Sequence, residues 1–243
     1  MKKMDMHKVL PGLLLVVAAA VLPGASALAD GADISKVNGS IRVESGRQVG
    51  SVETVNGSIE IEESVQADDV ETVSGSIRVG RDASVGDLDS VNGSITLGAG
   101  AKAHSIEVVN GRLRLDENAQ VRGGITSVNG SIALARGAVV DGAVENVNGS
   151  INIEGAQVGG GIDTTNGDIE IGEGSRIDGG IHVDKPGLNL FSNKRKPKVT
   201  IGANAVVNGT LHFERDVELR ISDSAKVGKI VGATAERLEA AND

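Results

Sequence analysis

The sequence predicts an all-β fold: a single-stranded parallel β-helix (β-solenoid) with three short strands in each rung of about 18–19 residues. A repeated heptapeptide carries this prediction, because its first eight copies start at nearly constant intervals and only the last copy follows after a longer gap. A short, regular period rich in β-forming residues is typical of solenoid proteins. About ten rungs at the usual strand spacing would make a rod roughly 50 Å long. The nine copies open at Val37, Val55, Val73, Val91, Val109, Val128, Val147, Thr165 and Val207.

Aliphatic residues also recur every six positions, which divides each rung into three sides. This series runs without a break from Val37 to Val121, and a second aliphatic series that includes Ile41 and Val52 is displaced from it by three or four positions. Such spacing favours short strands separated by bends over an α-helix. We expect both series to supply a narrow aliphatic core. The repeats themselves do not encode the handedness of the coil, but parallel crossovers are overwhelmingly right-handed, which favours a right-handed helix.

One of the three sides gains a residue and one or two glycines from Val121 onward. That side reads Val49 to Val52 in an early rung and Val121-Arg-Gly-Gly-Ile125 in a later one. We interpret the change as a stacked β-bulge in which glycine relieves backbone crowding. The alternative is that bare backbone at glycines such as Gly124 and Gly180 provides a docking face for another chain.

An asparagine followed by glycine marks one corner of nearly every rung. The Asn-Gly pair tolerates a positive φ at a tight bend. Equivalent residues of a parallel stack lie about 4.8 Å apart, so their amides can bond along the stack. We predict a structural asparagine ladder, with a ligand-binding strip as the alternative; Ser74 replaces asparagine in one copy. The predicted members are Asn38, Asn56, Asn92, Asn110, Asn129, Asn148, Asn166 and Asn208.

The segment 1–29 has the three parts of a secretory signal peptide. Lys2, Lys3 and Lys8 precede an apolar stretch over residues 10–22, and Ala27-Leu28-Ala29 forms a small-residue cleavage site. A permanent membrane anchor needs about 20 apolar residues, and this stretch is interrupted by proline and glycine. We expect cleavage near Ala29 and export to the periplasm or the cell exterior.

Composition limits the partners and the chemistry of the exported chain. Removal of the segment 1–29 takes away three of 24 Lys and Arg residues and one of 33 Asp and Glu residues, which leaves a net charge of −11. This charge argues against nucleic acid as a partner. The chain has no cysteine, so disulfides, thiolate metal sites and cysteine nucleophiles are excluded. It has no Trp or Tyr and two Phe residues, which argues against an aromatic-lined ligand groove.

A basic insertion interrupts the repeat over residues 185–198. Alignment of residues 179–183 with 160–164, and of 199–201 with 169–171, shows that it replaces an Asn-Gly corner. Its five positive charges could meet an anionic envelope component such as a lipid headgroup or a polysaccharide. Alternatively, its apolar half folds back onto the flank of the solenoid while the lysines stay solvated. The candidate partner-binding residues are Phe191, Lys194, Arg195, Lys196 and Lys198.

The sequence after the insertion predicts one or two further rungs. Phe213 is expected to fill the wider end of the core. Residues 233–241 have a helix-forming composition and are expected to cover the open backbone edge of the last rung. The predicted organisation is therefore a signal peptide over 1–29, a solenoid over 30–231 with the insertion at 185–198, and a C-terminal tail or cap over 232–243.

The distribution of reactive residues predicts no enzyme. Beyond Ala29 the histidines are His104, His182 and His212, and their spacing matches neither a metal site nor a catalytic triad. We expect them to lie on distant rungs, exposed and unpaired. The acidic pairs, such as Glu62-Glu63, lie singly in tight bends and indicate a solvated surface. We therefore predict no catalytic, cofactor-binding or metal-ligating residues, and no cofactor.

The VNGSIxV units resemble the β-strand-repeat domain of adhesin-like bacterial envelope proteins, and the stacked hexads resemble bactofilins, a polymer-forming cytoskeletal family. Both resemblances cover roughly residues 37–230. They imply a β-helix that supports assembly or surface contact without catalysis. We therefore expect an exported structural or scaffolding solenoid of the bacterial envelope that self-associates or acts like an adhesin. The alternative is a monomeric module that binds an anionic component through residues 185–198.

Overall fold

The computed structural model describes residues 31–186 and 195–238. The predicted signal peptide, Phe191 and Lys194 of the insertion, and residues 239–243 lie outside this part of the chain. Within it, every regular element is a β-strand, and the strands form three parallel sheets, here named A, B and C. The all-β solenoid predicted from the repeat is therefore confirmed.

Sheets A and B each contain 11 strands, so the described solenoid has eleven rungs, close to the ten expected from the sequence. With strands numbered in chain order, sheet A consists of β1 Ile34–Asn38, β3 Val52–Asn56, β5 Val70–Ser74, β7 Leu88–Asn92, β10 Ile106–Asn110, β13 Ile125–Asn129, β16 Val144–Asn148, β19 Ile162–Thr164, β22 Ile181–Val183, β25 Leu211–Phe213 and β28 Ile230–Val231. Sheet B consists of β2 Ile41–Val43, β4 Ile59–Ile61, β6 Ile77–Val79, β8 Ile95–Leu97, β11 Leu113–Leu115, β14 Ile132–Leu134, β17 Ile151–Ile153, β20 Ile169–Ile171, β23 Lys198–Ile201, β26 Glu218–Ser222 and β29 Ala235–Leu238. Sheet C consists of β9 Lys102–Ala103, β12 Gln120–Val121, β15 Val139–Val140, β18 Gln157–Val158, β21 Arg176–Ile177, β24 Val206–Val207 and β27 Lys226–Val227.

The register of the sheets follows the repeat directly. Ile106 pairs with Leu88 in the rung below and with Ile125 in the rung above, each one period of the heptapeptide away. In the first rungs the third side has only isolated bridges, such as that between Gln48 and Gln66. Two-residue strands form there from β9 onward.

The core is a continuous aliphatic column that runs from Ile41 to Ile221. Each three-residue strand of sheet B turns its first and third residues inward, as Ile59 and Ile61 show, both at most 1% exposed. Phe213 is buried at the far end of this core, as the sequence predicted. Each rung buries only a few small aliphatic side chains. The stability of the stack therefore comes from the sum of similar contacts between neighbouring rungs and not from one large central cluster.

The valine of the heptapeptide faces outward, contrary to our expectation that the whole six-residue series lines the core. In β3 the buried residues are Val52 and Thr54, while Val55 is only partly buried. Alternation along the strand turns the residue before the valine inward, and this residue is polar in several rungs. Its hydroxyl bonds a corner carbonyl in two of them: Thr54 Oγ1 donates to the oxygen of Gly39 at 3.2 Å, and Thr72 Oγ1 donates to that of Gly57 at 3.1 Å. In β10 the equivalent residue is the buried Val108. In the rungs of Thr54 and Thr72 the buried hydroxyl thus satisfies a carbonyl that would otherwise lack this donor.

The corner glycines are required by the approach of one rung to the next. A Cβ at Gly93 would lie 1.7 Å from the carbonyl oxygen of Gly75, and one at Gly130 would lie 1.7 Å from that of Gly111. A positive φ contributes at some corners, such as Gly149 with φ of 123°. The Asn-Gly pair thus serves stacking as well as bending.

The glycines of the third side also touch backbone in neighbouring rungs. A Cβ at Gly142 would lie 2.6 Å from the carbonyl carbon of Gly123, and one at Gly180 would lie 2.2 Å from the carbonyl oxygen of Thr210. Their absent side chains make room for the adjacent rungs of the same molecule, as the bulge interpretation requires.

The ninth copy of the heptapeptide is not equivalent to the others. Val207 pairs with Ile177 in sheet C, and Leu211–Phe213 enters sheet A, whereas the corresponding Ile-x-Ile triplets of the earlier copies form sheet B. In sheet B the strand Lys198–Ile201 continues from Ile169–Ile171, as our alignment across the insertion predicted. Asn208 consequently lies on a different corner from the other asparagines.

The C-terminal segment adds a strand rather than the expected helical cap. Strand β29 extends sheet B, with Ala235 paired to Leu219 and Arg237 to Ile221. Arg237 thus takes the register position that aliphatic residues occupy in the rungs below. Its guanidinium forms an ion pair with Asp223 at 3.3 Å.

Candidate functional site

The asparagines of the repeat form a chain of side-chain hydrogen bonds along one edge of the rod. Each Nδ2 donates to the Oδ1 of the asparagine one rung below. The bonds are Asn56 to Asn38 at 3.2 Å, Asn110 to Asn92 at 3.0 Å, Asn129 to Asn110 at 3.0 Å, Asn148 to Asn129 at 2.9 Å and Asn166 to Asn148 at 3.0 Å. Ser74 separates the first pair from the five-residue run.

Asn208 does not belong to this ladder. Its Nδ2 donates to Oδ1 of Asp178 at 2.8 Å, on the corner that follows sheet C. The prediction failed because the long interval between Thr165 and Val207 hides a shift of the heptapeptide from one side of the rung to another.

Arg215 closes the upper end of the ladder. Its Nη1 donates to Oδ1 of Asn166 at 2.8 Å and to the carbonyl of Thr165 at 3.1 Å, and its Nη2 donates to the carbonyl of Arg195 at 2.9 Å. One guanidinium therefore joins the end of the ladder to the returning end of the insertion.

Two described cations of the insertion, Arg195 and Lys196, pair with carboxylates of the solenoid. Arg195 forms an ion pair with Asp168, whose Oδ1 also accepts the backbone N–H of Lys198 at 2.9 Å. Lys196 Nζ lies 3.1 Å from Oδ2 of Asp216. These contacts hold residues 195–198 against the flank of the rod. The second interpretation of the insertion placed the apolar half on the flank, and Leu188, Leu190 and Phe191 lie outside the described residues.

The outer face of sheet A carries two parallel columns of side chains. One column contains the outward valines of the first seven heptapeptide copies; we call it the valine column, and it consists of Val37, Val55, Val73, Val91, Val109, Val128 and Val147. Val37 is 36% exposed, and the other six are partly buried by their neighbours in the stack. The column is therefore a solvent-facing aliphatic strip.

The second column, two residues earlier in each strand, is acidic in four successive rungs. Glu53, Glu71, Asp89 and Glu107 stand one above another. Burial, followed by the charges of Glu107 and Glu71, raises the pKa of Asp89 to about 7. Burial is also the first cause that raises the pKa values of Glu71 and Glu107. Ionisation of these carboxyl groups is therefore unfavourable, first because they are partly buried and second because neighbouring carboxylates repel one another.

The residue types in both columns change in the upper rungs. The carboxylate column continues as Asp163, His182 and His212, which are paired in register. Because alternate residues of a strand share a face, Asp184 and Glu214 lie beside the two histidines. The imidazole rings of His182 and His212 meet edge to face with centroids 4.9 Å apart. We refer to His182, Asp184, His212 and Glu214 as the His–carboxylate group.

The expectation that the histidines lie on distant rungs, exposed and unpaired, is wrong for two of the three. His182 and His212 are far apart in sequence, but the insertion accounts for the extra length and places them on adjacent strands. His182 keeps 26% of its side chain exposed and lies 3.1 Å from a carboxylate oxygen of Asp184. The repeated pattern His-x-acid, at 182–184 and 212–214, was the signal in the sequence. His104 is exposed, as expected.

No protein-family model, curated protein or solved structure matches this chain. In residues 31–186 and 195–238, no helix is long and apolar enough to cross a membrane. The structure itself shows that the chain is a β-solenoid repeat protein. Its function therefore has to be argued from its surfaces.

Proposed function

We propose that this protein is a non-enzymatic structural rod of the bacterial cell envelope, exported by its amino-terminal segment, which associates side by side with other copies of itself. The VNGSIxV units support a relationship to the adhesin-like β-strand-repeat proteins of the envelope. The observation that carries the proposal is the valine column on the outer face of sheet A.

The valine column is not needed to build the core. Its side chains point away from the core, which is already filled by the inward residues of the same strands. Seven aliphatic side chains at the strand spacing form a straight strip about 29 Å long. A strip of this kind gains free energy when a second apolar surface excludes water from it.

The charges beside the strip favour one arrangement of two copies. A half-turn of one rod about an axis parallel to its length brings the two valine columns together. The carboxylate column of each rod then faces the asparagine-ladder side of the other. An antiparallel arrangement would instead oppose two carboxylate columns, which is unfavourable at neutral pH. Two rods are therefore expected to pack in parallel.

End-to-end association is less favourable at the described C-terminal strand. Arg237 stands in register with the core residue Ile221. An ionic side chain at the inward position of an edge strand opposes addition of a further strand. The sides of the rod are therefore the better contact surfaces.

The test compares assembly of residues 30–243 with that of two variants. Val73→Thr, Val91→Thr and Val109→Thr together keep β-branched residues but remove the aliphatic strip. The matched control changes outward residues of sheet B in the same rungs: Arg78→Thr, Thr96→Ser and Arg114→Thr. Sedimentation velocity over a concentration series measures association, and negative-stain microscopy measures particle width and length.

We expect the wild type and the control to form wider particles of unchanged length, and the valine variant to stay monomeric with an unchanged melting temperature. A wild type that remains monomeric at every concentration would refute the proposal. So would a valine variant that assembles like the wild type, or rods that grow only in length.

A further inference from the structure

We propose that His182, Asp184, His212 and Glu214 bind a divalent transition-metal ion, with Zn²⁺ as the best-suited ion. This site goes beyond the structural role proposed above and does not depend on it. It lies in the upper rungs of sheet A. There Asp184 and Glu214 occupy the positions of the valine column, and His182 and His212 occupy those of the carboxylate column.

The local backbone explains how four ligand groups come together. Each histidine stands in the middle of a three-residue strand, β22 or β25, with its carboxylate partner two residues later. The backbone N–H of Glu214 donates to the carbonyl of Val183 at 2.9 Å, which fixes the second pair directly above the first. The result is a two-by-two grid of imidazoles and carboxylates on one face.

The distances within the grid suit a small tetrahedral ion. Nε2 of His182 lies 3.1 Å from Oδ1 of Asp184 and 3.6 Å from Oε1 of Glu214. Metal–ligand bonds of about 2.0–2.1 Å in a tetrahedron place neighbouring ligand atoms about 3.3 Å apart. The two observed distances bracket that value. Ligand atoms of His182, His212 and Glu214 all lie within 4.8 Å of one another, so modest side-chain rotation completes the set.

The state of His182 is an independent argument for a ligand. Its Nε2 is inaccessible to solvent and forms no hydrogen bond of acceptable geometry within the described chain, despite its nearby carboxylates. A buried polar atom without a partner costs free energy. Coordination of a cation through the nitrogen lone pair would remove this cost.

The donor set selects the class of metal. Two imidazoles and two carboxylates match the nitrogen and oxygen ligands of Zn²⁺ and its first-row neighbours. Ca²⁺ and Mg²⁺ prefer six or more oxygen ligands and should bind poorly. Asp163, one rung below His182, adds a further negative charge. A dication would neutralise part of this local excess of carboxylates.

The competing explanation is a protonated His182 held between Asp184 and Glu214. It predicts no specific metal binding, so the two explanations can be separated. Isothermal titration of residues 30–243 with ZnCl₂ should show one bound equivalent, with no comparable heat from CaCl₂ or MgCl₂. Zn²⁺ should also raise the melting temperature, because a ligand that binds only the folded state stabilises it.

Two variants and one control test whether the ion binds at this group. His212→Ala and Glu214→Gln should each weaken Zn²⁺ binding at least tenfold, whereas His104→Ala, which changes the histidine far from the group, should bind like the wild type. Glu214 is exposed, so Glu214→Gln reports on the site even if His212→Ala fails to fold. Absence of Zn²⁺ binding to the wild type, or equal affinity in the Glu214→Gln and His104→Ala variants, would overturn the proposal.

Discussion

Arg237 stands in register with Ile221, at the point where the inward column of sheet B reaches its last described strand. In the rungs below, this column consists of Val, Leu and Ile residues that are at most 3% exposed. The core of the solenoid is thus followed, at the edge, by a guanidinium that pairs with Asp223.

Replacement of Arg237 by an aliphatic residue should therefore allow end-to-end association of rods through β29. Arg237→Ile continues the aliphatic column. Among the described strands none pairs with the outer edge of β29, so this edge is then free to accept a strand. We expect particles that lengthen with concentration, seen by negative-stain microscopy and by sedimentation. Glu236→Gln changes an outward residue of the same strand and serves as the control. Particles of unchanged length for Arg237→Ile would show that the arginine does not protect this end.

The asparagine ladder should contribute measurably to stability. Asn110 donates one ladder bond and accepts another, so Asn110→Ala removes two exposed hydrogen bonds. We expect a loss of about 1 kcal/mol, which lowers the melting temperature by about 2–4 °C in a domain of this size. The converse change, Ser74→Asn, fills the gap between Asn56 and Asn92 and should raise the melting temperature. Calorimetry that finds neither change would mean that the ladder is energetically neutral.

Substitution at a corner glycine should be far more damaging. Gly93→Ala places a methyl group 1.7 Å from the carbonyl oxygen of Gly75, so adjacent rungs must separate. We expect a loss of about 3 kcal/mol or more in the free energy of unfolding, measured with urea. Gly39→Ala, in the first rung, meets no atom within 4 Å and should cost only about 1 kcal/mol through its positive φ. Equal losses for the two variants would contradict the stacking explanation.

Stability should rise as the pH falls from 8 towards 5. The pKa of Asp89 is raised from 3.8 to about 7 in the folded protein, so the folded state binds a proton more readily than the unfolded state. The resulting stabilisation is fully present below the unfolded pKa and is lost as the pH rises through about 7. Asp89→Asn should stabilise the protein at pH 8 by on the order of 1 kcal/mol after allowance for solvent screening, and should flatten the pH dependence of the melting temperature. An Asp89→Asn variant with the pH profile of the wild type would exclude this carboxyl group as the source.

The sequence predicted the solenoid well because one physical constraint sets its period. Every rung must return to the same three sides, so Ile106 has to pair one period away in each direction, and the repeat displays that period directly. The orientation of Val55 was not predictable from a six-residue count, because a hydrophobic pattern does not show that the polar Thr54 is buried and bonded to the Gly39 carbonyl. Burial of Thr54 decides it.

The upper rungs were harder to predict for a different reason. The insertion over residues 185–198 interrupts the regular spacing from which the positions of the other repeats were predicted. The repeat spacing therefore does not mark His182 and His212 as neighbours, and it wrongly places Asn208 in the ladder. The outward side chains of the strands that flank the insertion carry the remaining signal for the histidine pair, because the His-x-acid pattern occurs at both 182–184 and 212–214.

The contact between Arg215 and Asn166 gives the asparagine ladder an electrical direction. Four of the five amides in the upper run donate downward, and Asn92 accepts the lowest bond. Their dipoles therefore add along the rod, with the positive end at Asn92 and the negative end at the side-chain carbonyl of Asn166. The guanidinium of Arg215 binds that negative end, much as cations stabilise the carboxyl terminus of an α-helix. A row of neutral side chains thus has a net dipole along the rod. Arg215, which binds its negative end, also donates to the carbonyl of Arg195 and so connects the ladder to the insertion.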